Sequence, residues 1–151
     1  MGHLVPVLPA VVLMHGIGRA DRRLETVATR PINRWDTALG LSVAALSAVT
    51  AIGVDLSLDK DIALVIGRNT AGYIGIAMLV AAFLGTRTAA LLTTVVPLVL
   101  GATGWTPAGA PRHWAWLLHP AHSSLAFLMT ALALAAGASA TCVRRGPLRG
   151  L

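Results

Sequence analysis

Long apolar stretches alternate with short charged segments along the whole chain. Each apolar stretch approaches the ~20 residues that a helix needs to cross a hydrocarbon core about 30 Å thick. The pattern predicts a single all-α domain, a polytopic transmembrane helix bundle of about five spans, at residues 2–18, 37–54, 62–84, 89–104 and 121–141. Because the first stretch is short and contains two prolines, the alternative is four spans, with residues 1–36 lying on the membrane.

The segment between the first two predicted spans carries the densest charge of the chain. Residues 19–36 contain five Arg and three acidic residues. We interpret them as a cytoplasmic loop lying on the lipid headgroups, or alternatively as a coupling helix that contacts a cytoplasmic partner. The candidate contact residues for such a partner are Arg22, Arg23, Glu25 and Arg30.

A second long segment, residues 105–120, contains three Trp and two His. Trp is enriched at the membrane–water interface, so we predict an outer loop, with a short interfacial or re-entrant helix over residues 112–118. Three histidines, His113, His119 and His122, lie in or beside this loop without an acidic neighbour. Pro120 also breaks the helix that would align two of them, so we predict neither a metal site nor a cofactor.

Composition and charge fit a membrane protein better than a soluble one. Hydrophobic residues make up 56% of the chain and charged residues 12%, against about 25% charged in soluble domains. The net charge of +6 comes largely from arginines at the ends of apolar stretches, so we interpret it as a topology signal and predict no nucleic-acid binding. The connections and tail predicted on one side of the membrane carry nine Lys and Arg residues, whereas the connections on the other side carry two, not counting Arg68. This predicts a multi-pass protein of the cell inner (plasma) membrane with a cytoplasmic C-terminus.

Arg68 is the one charged residue well inside a predicted span. Since a charge at the bilayer centre costs about 2.5–3.5 kcal/mol on insertion scales, its side chain should avoid lipid. It either faces the bundle, where it would contact substrate or an acidic partner, or snorkels outward beside Asp55 or Asp61. The candidate substrate-contacting or bundle-facing polar residues are Arg68, Asn69, Tyr73, Thr93 and Thr94. Pro97 predicts a kink and frees a carbonyl for the threonine hydroxyls.

Motifs for enzymatic chemistry are weak. The stretch VVLMHGIGR resembles the oxyanion turn of α/β-hydrolases, but no exposed nucleophile elbow follows. The sequence has no phosphate-binding glycine loop, so nucleotide hydrolysis would need a separate subunit. We therefore predict that the protein is not an enzyme; a membrane-embedded enzyme would need a pocket that joins Arg68 to the histidine loop.

Four local patterns together resemble ABC transporter permease-like integral membrane proteins of GC-rich bacteria. The patterns are Arg23-Leu24-Glu25 through Arg30-Pro31, Arg68-Asn69-x-x-Gly72, Trp114-Ala115-Trp116, and a closing Gly-rich helix before Arg144. The resemblance extends over residues 5–147.

This resemblance implies a permease-like subunit of a transport complex, with a separate cytoplasmic ATPase and a substrate that is exported or sorted across the membrane. The other partners that we expect are the lipid bilayer and further subunits of a homo- or hetero-oligomer. Members of the family typically have six spans, so we expect this chain to lack the first span or two. The alternative from another class is a non-transporting membrane protein, such as an assembly, immunity or structural subunit.

Overall fold

The structure, a computed structural model, describes residues 5–18, 32–58 and 61–143. Within these ranges the chain is helical and forms no β-strand, which confirms the predicted all-α class. The five helices are α1 (Val7–Gly18), α2 (Ile32–Leu58), α3 (Asp61–Leu84), α4 (Thr86–Thr103) and α5 (Ser124–Val143). A short 3₁₀ helix, Trp116–Leu118, lies in the connection between α4 and α5.

Four of the five described helices are long and apolar enough to cross a membrane: α2, α3, α4 and α5. They contain 27, 24, 18 and 20 residues, which at 1.5 Å per residue corresponds to about 27–40 Å. Helix α1 has 12 residues and falls short of the ~17 needed for crossing. The structure therefore has four helices of crossing length, as in the four-span alternative.

The short α1 packs into the bundle, against α4 and α3. Its buried residues, Val7, Ala10, Leu13 and Met14, recur at intervals of three or four and so form one helix face. This packing differs from the alternative in which residues 1–36 lie on the membrane, because that face is covered by protein and not by lipid headgroups.

Helix boundaries extend beyond the predicted spans. Helix α2 begins at Ile32 and ends at Leu58, so Trp35 and Asp36 are helical and were wrongly assigned to the preceding loop. Asp55, which the predicted spans 37–54 and 62–84 leave in the connection between them, is also helical. Continuing the helix satisfies backbone N–H and C=O groups near lipid, whereas the prediction ended each span at its nearest charge.

A single residue, Gly85, separates α3 from α4. Its φ of +86° is a conformation that residues with a Cβ rarely adopt. The predicted connection of four residues, 85–88, is therefore shorter in the structure, because α4 already begins at Thr86.

Helix α3 is the centre of the bundle. In the most apolar 18-residue stretch of α3, 67% of the residues are buried, whereas the corresponding stretches of the other three long helices have 17–22% of their residues buried. It packs against every other described helix, most extensively against α5 and α2. The outer helices expose large apolar side chains, including Leu91, Leu98, Leu128 and Leu132. Such a surface suits hydrocarbon around a central helix whose polar residues are shielded from it.

Candidate functional site

The connection between α4 and α5 folds back against α3. Its residues 115–121, called here the re-entrant segment, bury Ala115, Leu117 and Leu118. The ring of Trp116 packs so closely on Gly72 that a Cβ added at this glycine would lie 2.6 Å from Cη2 of the indole. Gly72 is about 16 Å along α3 from Asp61, so the contact lies near mid-depth of a ~30 Å core. The helix predicted over residues 112–118 is therefore reduced to the 3₁₀ turn Trp116–Leu118, in a segment that packs against α3.

Arg68 directs its guanidinium at main-chain carbonyls of the re-entrant segment. The side chain is 4% exposed. Its Nη1 donates to the carbonyl oxygen of Pro120 at 2.8 Å and to that of Ala121 at 3.4 Å. Its Nη2 donates to the carbonyl oxygen of His119 at 2.8 Å. One side chain therefore bonds three consecutive peptide groups.

Asn69 completes the arrangement from the next position of α3. Its Nδ2 donates to the carbonyl oxygen of Leu117 at 2.8 Å, and its Oδ1 accepts from Nε and Nη2 of Arg68 at 3.3 and 3.2 Å. A guanidinium has five N–H donors, and these contacts provide an acceptor for each of them. We call Arg68 and Asn69 together the carbonyl clamp.

The clamp provides hydrogen-bond donors for backbone carbonyls of the non-helical segment. Non-helical backbone at membrane depth is tolerated where protein groups satisfy its polar atoms. Pro120 lacks an N–H and disrupts the helical bonding around it. From α3, Arg68 and Asn69 supply donors to the carbonyls of residues 117, 119, 120 and 121, so the chemistry of the site is the anchoring of a chain segment.

The structure contradicts the interpretation that Arg68 snorkels outward beside an acidic residue. Among the described residues Arg68 forms no ion pair; instead, Asp61 Oδ1 lies 3.2 Å from Nε2 of His122. Both members of that pair are mostly exposed, at 74% and 73% respectively. The carbonyls of the re-entrant segment hold Arg68 inside the bundle, a set of partners that its helix alone does not reveal.

The other predicted bundle-facing residues separate into two groups. Tyr73 and Thr93 are fully buried, and neither hydroxyl has a hydrogen-bond partner in the part of the chain that the structure describes. Thr94 is exposed on α4, where its hydroxyl donates to the carbonyl oxygen of Ala90 at 2.8 Å. The prediction that Thr94 faces the bundle is wrong. Successive residues of a helix are rotated by about 100°, so Thr94 points away from the bundle when its neighbour Thr93 points into it. Neither threonine hydroxyl bonds the carbonyl that Pro97 frees, so that prediction also fails.

The four predicted partner-contact residues, Arg22, Arg23, Glu25 and Arg30, lie outside the described residues.

Nothing in the described ranges forms a group of three or more His, Cys, Asp and Glu side chains that could hold a metal. The ring nitrogens of His119 lie 3.2 Å from Oγ of Ser123 and 3.3 Å from the carbonyl oxygen of Arg112. This histidine therefore helps to fix the shape of the loop.

Sequence reasoning missed a lateral groove between α2, α3 and α5. The groove has a volume of about 480 Å³, and its walls are almost entirely apolar. The guanidinium carbon of Arg68 lies 5.7 Å from the centre of the Phe127 ring, within reach of a cation–π contact, and both residues line the groove. The signal in the sequence that could have indicated the groove is the row of alanines at 44, 48 and 51 on α2.

Comparisons of the chain with protein-family models, with curated proteins and with solved structures find no match. Functional inference therefore depends on the sequence patterns and on the geometry of the clamp, the re-entrant segment and the groove. The four long apolar helices indicate an integral membrane protein.

Proposed function

We propose that this protein is an integral membrane subunit, a permease-like component of an ABC-type transport complex that works with a separate ATPase. The membrane assignment is carried by the four helices of crossing length around a buried α3. The ABC assignment is drawn from the resemblance, and one structural contact supports it. Trp116 of the Trp-Ala-Trp pattern packs on Gly72 of the Arg-Asn-x-x-Gly pattern, so two of the four patterns form one structural unit.

A separate ATPase follows from the chemistry that the sequence lacks. The sequence contains no phosphate-binding glycine loop, so we assign nucleotide hydrolysis to a separate subunit. The Arg-rich segment of residues 19–36 is the proposed docking region, since the Lys and Arg bias assigns it to the cytoplasm. Its candidate contact residues are Arg22, Arg23, Glu25 and Arg30.

Purification of the tagged chain from its native membrane in mild detergent tests this proposal. We expect an ATPase subunit to co-purify, and ATP to change the stability or composition of the complex. Replacing Arg22 and Arg23 together by Glu should reduce the recovery of the ATPase. The control is Arg112→Glu, an exposed position in the predicted outer loop. Purification without an ATPase, or equal losses with both variants, would refute the transport assignment.

The carbonyl clamp favours a second candidate, a non-transporting assembly, immunity or structural subunit. All five guanidinium N–H groups of Arg68 are occupied by protein acceptors, so none remains to bind a polar substrate. The groove beside it is apolar. Co-purification of a membrane partner with no nucleotide-linked change would select this candidate over the first.

The proposed orientation, with a cytoplasmic C-terminus in the inner membrane, can be tested with the protein's own thiol. Cys142 is the sole cysteine of the chain and is exposed near the end of α5. We expect an impermeant maleimide to leave it unlabelled in intact cells and to label it after permeabilisation.

The matched control is the variant Cys142→Ser with Ala108→Cys, since Ala108 is exposed in the connection predicted to lie outside. This thiol should react with the maleimide in intact cells. The reverse pattern, with Cys142 labelled and the cysteine at 108 protected, would invert the topology.

A further inference from the structure

Helix α3 is the central crossing helix of the bundle, and it carries a polar pair that lipid disfavours. Arg68 and Asn69 are 4% and 0% exposed in the folded protein. An unpaired charge at the bilayer centre disfavours crossing by roughly 60- to 300-fold, and Arg68 lies about 7 Å along the helix from the midpoint of α3. The amide of Asn69 also needs hydrogen-bond partners once it leaves water. A stable crossing of α3 therefore requires protein groups that satisfy both side chains.

The described groups that satisfy this pair all come from one later part of the chain. Arg68 donates to the carbonyls of residues 119–121, and Asn69 donates to the carbonyl of Leu117. The pair's other side-chain contact is internal, from Arg68 to Oδ1 of Asn69. Within the described residues, helices α1, α2 and α4 supply no hydrogen-bond partner to either side chain, so they shield the pair from lipid without satisfying it.

The order of synthesis separates α3 from these acceptors. His119 follows Arg68 by 51 residues, which at ~5–20 residues per second is roughly 3–10 s of chain growth. Helix α5, against which α3 packs most extensively, is made later still. Helix α3 therefore meets the membrane before the acceptors of its polar pair exist.

We infer that the re-entrant segment is a strap that completes the insertion of α3. Its closure over Arg68 and Asn69 makes the transmembrane position of α3 the stable one. Before closure the long side chain of Arg68 keeps its charged head in the headgroup layer, which holds α3 short of its final depth. This device depends neither on an ATPase nor on the orientation of the chain, so it stands or falls separately from the transport proposal.

A thiol placed in the middle of α3 tests the strap in the full chain. Ile76 is half-buried and lies about 12 Å along the helix from Leu84, and Cys142→Ser removes the sole native cysteine. The reagent is a water-soluble maleimide, applied to permeabilised cells so that it reaches both faces of the membrane. We expect the thiol of Ile76→Cys to stay unlabelled, because the reaction needs an accessible thiolate and the reagent is excluded from the hydrocarbon core.

Replacing residues 115–121 by a Gly-Ser linker of equal length removes the buried side chains that anchor the strap, Ala115, Leu117 and Leu118. We expect labelling of the thiol at 76 to become about tenfold faster or more, since the unsatisfied charge then disfavours crossing. The matched control places the same kind of linker at residues 105–111, an equally long and mostly exposed stretch of the same connection. This control should leave the thiol protected.

A rescue variant distinguishes loss of the strap from general misfolding. Arg68→Met with Asn69→Leu, added to the 115–121 linker chain, removes the pair that needs the strap and should restore protection. The inference fails if the 115–121 linker chain is labelled no faster than its parent, or if both linker chains are labelled equally. It also fails if the rescued chain stays reactive, or if the parent Ile76→Cys protein is itself labelled rapidly, because α3 would then not cross as described.

Discussion

Replacing Arg68 by Met lowers the free energy of unfolding by about 2–5 kcal/mol and releases the re-entrant segment. The change relieves the burial of a charge, worth about 2.5–3.5 kcal/mol. It also removes the Arg68 donors to the carbonyls of His119 and Ala121 and to Oδ1 of Asn69, whereas the carbonyl of Pro120 keeps the backbone N–H of Ser123. Each buried acceptor left unsatisfied costs about 1–3 kcal/mol. The summed loss exceeds the relief, so the variant is destabilised.

Unfolding in mixed detergent micelles, followed by circular dichroism, measures the change in free energy. Limited proteolysis supplies a local readout, because residues 115–121 should become susceptible to cleavage in the variant. Arg68→Lys keeps the charge and up to three donors but loses the planar geometry, so its stability should be intermediate. Asp61→Asn removes the exposed pair with His122 and should change little. If Arg68→Met unfolds like the wild type and its re-entrant segment stays protected, the clamp is not structural.

The helices of crossing length were predictable because hydropathy is a property of a contiguous run of residues. The stretches at 37–54, 62–84, 89–104 and 121–141 each lie within or largely overlap one long helix. Their ends were less predictable, since charge at Asp36 or Asp55 marks where the apolar run stops and not where backbone hydrogen bonding stops. Helix α1 was misjudged because its covering partners, α4 and α3, are distant in sequence.

The carbonyl clamp could be predicted only in part. The cost of a charge in lipid indicated that Arg68 would seek polar partners, and the sequence left two destinations open. Its partners, the carbonyls of His119 and Pro120, are 51 and 52 residues away. A backbone carbonyl leaves no signature in the residue type that carries it. A proline within a Trp-rich apolar loop, opposite a buried Arg-Asn pair, is the pattern that would have indicated the contact.

The clamp and the groove meet on one face of the central helix. Leu64, Arg68 and Ala71 recur at intervals of four and three residues and line the apolar groove, and from this face Arg68, with Asn69 beside it, bonds the re-entrant segment. Arg68 takes part in both, because its aliphatic stem can cover apolar surface while its head bonds carbonyls. A substitution at Arg68 should therefore disturb both the anchoring of the re-entrant segment and the groove wall, whereas Ala48→Leu changes only the groove wall and should leave the segment anchored.

Contact between the α3 and α5 backbones is the second feature on which the fold depends. A Cβ added at Gly75 would lie 2.6 Å from the carbonyl carbon of Ala133, and one added at Gly137 would lie 2.5 Å from the carbonyl oxygen of Gly75. The two helices thus meet through small residues, as expected where packing drives helix association in lipid. Because backbone atoms cannot rotate away, a side chain here must push the helices apart.

Gly75→Leu should therefore lower the free energy of unfolding by about 3 kcal/mol, the upper part of the usual range for overpacking. Gly75→Ala should show a smaller loss, because the better helix propensity of Ala, worth up to about 1 kcal/mol, opposes the clash. The matched control is Gly101→Leu, at an exposed position of α4 where an added Cβ meets nothing within 4 Å. This control should be as stable as the wild type or slightly more stable.

A double-mutant cycle distinguishes helix separation from a purely local clash. Once Gly75→Leu has separated α3 from α5, adding Gly137→Ala should cost little more, so the two effects should sum to less than their separate values. Detergent unfolding of the four proteins in the cycle measures this coupling. Full additivity, or equal stability of Gly75→Leu and Gly101→Leu, would show that α3 and α5 are not held at backbone contact.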